Sequence, residues 1–285
     1  MSVLGLALVL FAACCHATWN FLVKRINGGP ELIWLFSVVS VVLYLPVALW
    51  ILLVQRPEIG GMQVLFLVGT VVLHLGYFLM LQTGYRKGDL SLVYPTARAT
   101  GPMLSSAFAV LLLGEVISLQ MALGAGGIVF GVLMLTGGIR GAVRRASASL
   151  LFGLGTGVLI GGYTVWDAYA VSALLLPPVL LDYASSLGRV VLLAPVAVRR
   201  KDRVRALWRD HRGAVLVIGL FNSLAYILVL YALTFTPVAY VAPLREVSVV
   251  LSVLAGSILL HEGQLRHRLG WACVILCGMA LLVSG

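Results

Sequence analysis

Five polar side chains sit inside long apolar runs of this sequence and invite a chemical reading: Asn20, Arg98, Asp167, Arg245 and Glu246. A charge in hydrocarbon is costly unless paired or wetted, so such groups either line a pathway for a polar solute or brace helices against one another. A guanidinium is a planar fork that suits a carboxylate or a phosphate, which makes Arg98 and Arg245 the expected anion-holding residues. A carboxylate held out of water can exchange a proton for its charge, which makes Asp167 and Glu246 the expected coupling groups. Asn20 would supply a neutral hydrogen bond beside Arg98.

These residues are not scattered at random. Sliding the sequence by 147 positions lays Trp19 on Trp166, Asn20 on Asp167, Arg98 on Arg245, Ser105 on Ser252 and Glu115 on Glu262. Trp, Arg and Glu are uncommon in a chain that is 61% hydrophobic and 11% charged, so the register speaks for a duplication. Two halves with an odd number of helices each must cross a bilayer in opposite senses, the arrangement that lets one central site open to either side in turn.

The elements that must carry these residues are membrane helices. With a mean hydropathy of +1.06 over 285 residues, a water-soluble fold could not hide the apolar surface. The apolar runs are about 20 residues long, enough to cross roughly 30 Å of hydrocarbon. They predict ten helices, at 3–23, 32–54, 62–82, 91–113, 120–139, 150–171, 179–198, 213–233, 237–260 and 269–283. The expected fold is an all-α integral membrane protein of ten transmembrane helices in two inverted five-helix repeats, 1–140 and 141–285. The basic stretch from Arg199 to Arg212 reads as a linker.

The net charge of +10 does not point to nucleic acid, because the Lys and Arg residues of the loops gather in alternate ones. Those after odd-numbered helices are basic, while the even-numbered ones hold only Arg56. The positive-inside rule then sets the basic loops in the cytoplasm and both termini outside, in a plasma membrane of the bacterial inner-membrane type. The basic stretch could also touch anionic headgroups among the membrane lipids. Cys14, Cys15, Cys273 and Cys277 fall inside the runs and imply neither a disulfide framework nor a metal site. Gly153, Gly155 and Gly157, like Gly124, Gly127 and Gly131, mark surfaces where helices approach closely.

On these residues the chain resembles a known family. Gly88-Asp89 through Tyr94-Pro95 and Arg98 to Gly114-Glu115 is similar to one repeat of the EamA family in the drug/metabolite transporter superfamily, and Pro243-Leu244-Arg245-Glu246 to Glu262 is similar to the other. Trp19-Asn20 with Lys24, and Tyr163-Thr164 with Trp166-Asp167, stand where that family begins each half. The resemblance implies ten helices in two inverted repeats and proton-coupled or exchange transport of small metabolites or drugs. Many relatives hold both termini in the cytoplasm, opposite to the charge bias here.

Around the five central residues, the rings of Trp19, Tyr94, Tyr163, Trp166 and Tyr240 are expected to line a substrate cavity, as Tyr77 and Tyr226 could. Pro95 and Pro243 free backbone carbonyls near the two arginines, as does Pro102. Glu115 and Glu262, at helix ends, are expected to hydrogen-bond the start of the next helix. His74 reads as a bridge to a neighbouring helix, and Asp182 and Arg189, seven apart, as a weak pair. No nucleotide, metal or hydrolase motif is present, so no cofactor and no enzymatic activity are expected. The reading is a secondary transporter, exporter or exchanger, of a small anionic or zwitterionic metabolite, for which a monomer suffices. The alternative is a flippase for a lipid-linked sugar or phospholipid-type substrate.

Overall fold

The computed structural model describes residues 3–113, 118–135, 147–233 and 247–284. Among them every regular element is helical, as it must be where lipid offers no hydrogen-bond partner to the backbone. The helices are α1 (Val3–Ile26), α2 (Pro30–Trp50), α3 (Gly61–Lys87), α4 (Leu90–Leu113), α5 (Leu119–Leu135), α6 (Ser147–Ser172), α7 (Pro178–Arg199), α8 (Lys201–Leu233), α9 (Val247–Leu254) and α10 (Leu265–Ser284). Pro30 and Pro178 occupy first-turn positions, where a missing N–H costs nothing. α2 and α9 each run on into a π-helical turn, Ile51–Gln55 and Ala255–Leu259.

Seven of the described helices are long and apolar enough to cross a membrane, with Ala122–Leu135 and Val247–Leu259 as shorter apolar helices. Large apolar side chains such as Val42 and Leu53 point outward, as a lipid-facing surface requires. The protein is therefore a multi-pass membrane protein.

The basic stretch expected to be a linker is instead helical. Residues 201–210 form the opening turns of α8, and a non-helical His211 (φ −132°, ψ 18°) sets them at a kink to the membrane-crossing remainder. The reason lies in the spacing of Val204, Leu207 and Trp208, which gives the segment one apolar stripe among its arginines and suits it to the membrane surface.

The halves interleave rather than stand side by side. The principal packing pairs are α5 with α10, α4 with α6, α1 with α8, α2 with α7, α3 with α6, α2 with α8, α3 with α7 and α1 with α9. Exchanging α1–α5 for α6–α10 in order turns these eight pairs into themselves. The main core accordingly draws on both, joining Trp19, Phe36, Phe78, Leu81 and Val93 to Leu193, Ile218, Val249 and Val253. Where α4 meets α6 the backbones touch. A methyl group added at Gly157 would stand 2.7 Å from the Ala97 carbonyl oxygen and collide with Thr100.

Candidate functional site

Two polar assemblies are built between these helices. The first lies within the bundle. Asp167, on α6, is 1% exposed and accepts three hydrogen bonds from other helices. Thr70 Oγ1 of α3 donates to its Oδ1, while Tyr226 OH of α8 and His74 Nε2 of α3 each lie 2.8 Å from its Oδ2. The His74–Asp167 contact joins a ring nitrogen to a carboxyl oxygen, and Nε2 can serve as its donor. The imidazole is boxed by rings, with Tyr163 at 4.3 Å between centroids and Tyr226 and Tyr77 edge-on at 5.8 and 6.4 Å. Thr70, His74 and Tyr77 recur at helical spacing, so one face of α3 supplies them all.

The same region holds Asp182 and Arg189 of α7. Arg189 is 1% exposed. Its Nε donates to Ser37 Oγ at 3.0 Å, and its two Nη atoms donate to Ser185 and Ser186 at 2.8 Å each. Its guanidinium carbon stands 4.3 Å from the centre of the Phe78 ring. Asp182 is buried within electrostatic reach of Arg189, His74 and Asp167. Asp182 thus lies between the Arg189 guanidinium and the His74–Asp167 contact.

The second assembly ties one end of the bundle. Glu262, in the turn before α10, accepts the backbone N–H groups of Leu90 and Ser91 at 3.0 Å each and the Ser91 hydroxyl at 2.9 Å, so it caps α4. The sequence points to the next helix after Glu262, but the helix start that it reaches belongs to the other half. Its approach depends on Gly256, since a methyl group there would come within 2.6 Å of Glu262 Oε2 and 3.2 Å of the Ser91 nitrogen. Lys24 stands 3.7 Å from Glu262 and donates to the carbonyls of Tyr85 and Gly88 at 2.6 and 2.5 Å. Arg268 pairs with Asp89 at 2.6 Å, lies 3.8 Å from Glu262 and donates to Ser91 Oγ. At the same end Arg200 and Arg203 hold the buried Glu31 at 3.2 and 3.5 Å.

The remaining predicted residues fall around these assemblies. Asn20 is fully buried, with its amide donating to the His16 carbonyl at 2.7 Å and its oxygen accepting from Tyr85 OH. Arg98 is buried on α4, within electrostatic reach of Tyr77 and Tyr85, and so stands between the two assemblies. Tyr94 OH lies 3.0 Å from Ser248 Oγ and links α4 to α9, with Pro95 beside it in a continuous helix. Trp19 donates to His16 at 3.3 Å and packs on Phe78. Trp166 donates to the Phe66 carbonyl at 2.8 Å and stacks on that ring at 4.2 Å. Arg245, Glu246, Tyr240, Pro243 and Glu115 lie outside the described residues. Sequence reasoning did not single out Thr70, Ser37, Ser185 or Ser186, and it gave Asp182 and Arg189 little weight.

Comparison with known proteins adds the family. No curated protein matches the sequence. A solved structure titled "Crystal structure of protein" is similar at 16% identity over 98% of this chain and 98% of that one, with a TM-score of 0.53, which speaks for a shared fold. The model of the EamA-like transporter family matches twice, over residues 3–137 and 147–284. With both halves matched, the chain belongs to the EamA-like transporter family, whose members are membrane transporters of the drug/metabolite type.

Proposed function

We propose that the protein is a secondary transporter that couples proton movement to the passage of a small anionic or zwitterionic metabolite between two inverted five-helix halves. The observation that carries this reading is the buried Asp167–His74 contact, hydrogen-bonded across α3, α6 and α8 with Asp182 and Arg189 nearby. A proton taken up there changes the charge of the bundle interior, and the packing of α3 against α6 and α7 makes those helices the ones that respond. Arg98, buried on α4, is the group placed to hold a substrate carboxylate or phosphate. The exchange-invariant packing pairs support ten crossings in two halves, and the basic loops support outward-facing termini.

In this reading the tie through Glu262, Lys24, Arg268 and Asp89 holds one end of the bundle together, and access from that end requires the Lys24–Glu262 and Arg268–Asp89 pairs to part. The test is uptake into proteoliposomes of labelled amino acids, organic acids, phosphonates and sugar phosphates, with and without a pH gradient. Gradient-stimulated flux of an anion that Arg98→Ala and Asp167→Asn both abolish is the expected result. Absence of flux for every soluble compound, in protein that stays folded, overturns the reading in favour of a lipid-linked substrate.

A further inference from the structure

On the outer surface, α2 and the two limbs of α8 enclose an apolar groove of about 490 Å³, walled by Trp34, Val38, Val42, Leu43, Val204 and Trp208. From residue 34 to residue 43 it follows α2 for nine residues, or about 14 Å at the helical rise. That is close to half of the roughly 30 Å hydrocarbon core, the depth of a single leaflet. Val42 is 64% exposed and Trp208 41%, so the groove opens outward and not into the bundle.

The groove has a charged end. Trp208 and Arg205 lie on the surface segment of α8, where Lys201, two turns before Trp208, and Arg205 are both exposed; Arg205 stands 3.7 Å from the exposed Asp202, a surface pair that a phosphate can replace. Arg200 and Arg203 of the same turns are held by Glu31, which fixes the segment against the start of α2. An apolar channel one leaflet deep, beneath a rim of exposed cations and an indole, complements one kind of molecule. That molecule has an acyl chain for the channel and a negative headgroup for the rim.

We propose that this groove is a binding site for an anionic phospholipid of the leaflet at the basic end of the bundle. The acyl chain lies along α2 between Trp34 and Leu43, and the headgroup phosphate sits at Arg205 and its neighbouring cations. Because α8 bends at His211, an occupied groove holds the surface segment and the crossing segment in one relative orientation. The site is independent of Asp167 and of the end tie.

The purified full chain, titrated in detergent with phosphatidylglycerol, with phosphatidylcholine of the same acyl chains, and with inorganic phosphate, tests this by thermal unfolding and by native mass spectrometry of retained lipid. Phosphatidylglycerol is expected to raise the unfolding temperature and to be retained, phosphatidylcholine to do so more weakly, and inorganic phosphate to do neither. The double variant Lys201→Gln, Arg205→Gln should bind phosphatidylglycerol roughly 30-fold more weakly, as two lost surface cations imply. Val42→Trp, which fills the groove from an exposed position, should unfold at the temperature of the lipid-free wild type and gain nothing from either lipid. Equal effects of the two lipids, stabilisation by phosphate alone, or a full lipid response in Val42→Trp would overturn the proposal.

Discussion

The polar assembly inside the bundle and the one at its end contain the same kinds of residues but bond to different things. At the end, Glu262 and Lys24 direct their hydrogen bonds to backbone groups, at Leu90, Ser91, Tyr85 and Gly88. Inside, Asp167 and Arg189 bond only side chains, a threonine, a histidine, a tyrosine and three serines. A charge that caps a helix cannot leave without exposing the first turn, whereas one held by side chains can change partners through rotamer moves. Partner type thus separates the buried charges that brace the fold from those able to cycle during transport.

Substitutions can break that distinction. The largest effect is expected at Asp167→Asn, which keeps one oxygen, able to accept either from Thr70 or from Tyr226, and removes the charge. Gradient-driven flux should fall on the order of 10²-fold, the scale of a lost proton-transfer group, with little change in unfolding temperature. Normal flux would make the inner assembly a brace as well. Glu262→Ala should do the reverse. It leaves two N–H groups uncapped and Lys24 without its carboxylate, while Arg268 keeps Asp89, and a loss of about 2 kcal/mol in stability is expected from denaturant unfolding. Glu262→Gln should recover part of that loss by restoring the cap without the ion pairs. Unchanged stability in both would remove the end assembly from the scaffold.

Smaller effects sharpen the comparison. His74→Gln retains a donor for Asp167 but cannot take on a positive charge, so uptake measured across a pH gradient should drop about tenfold while substrate exchange without a gradient is largely kept. Tyr226→Phe removes one of three donors to Asp167. With a net hydrogen bond worth about 1 kcal/mol, a change of fivefold or less in flux is expected.

The fold was legible to the extent that it depends on local pattern. Apolar run lengths pointed to the seven described helices long enough to cross a membrane, and the register of Trp19 with Trp166 and of Glu115 with Glu262 pointed to the two segments that the family model matches. The helical start of α8 escaped because its arginines mask a three-residue apolar stripe whose period shows only on a helix. In the site, Asp167 and Glu262 stood out by being charged in apolar surroundings, but their partners depend on which helices adjoin. Nothing along α4 says that its cap comes from the far half, and Ser37, Ser185 and Ser186 look like ordinary helix-interior serines until Arg189 is placed between them. The helical recurrence of Thr70, His74 and Tyr77 was the one signal in the sequence that could have outlined the Asp167 pocket in advance.

The cap on α4 also has a consequence in time. Leu90 and the carboxylate that receives its N–H are separated by 172 residues of chain. A ribosome adding about 5–20 residues per second needs roughly 9 to 34 seconds to deliver that carboxylate after Leu90 has been made. Throughout that interval the start of α4 must borrow water or headgroup oxygens, so the early half waits in the bilayer as an unfinished object. Expressing residues 1–140 alone would extend that waiting state indefinitely, and would yield an uncapped helix bundle exposed to quality-control proteases.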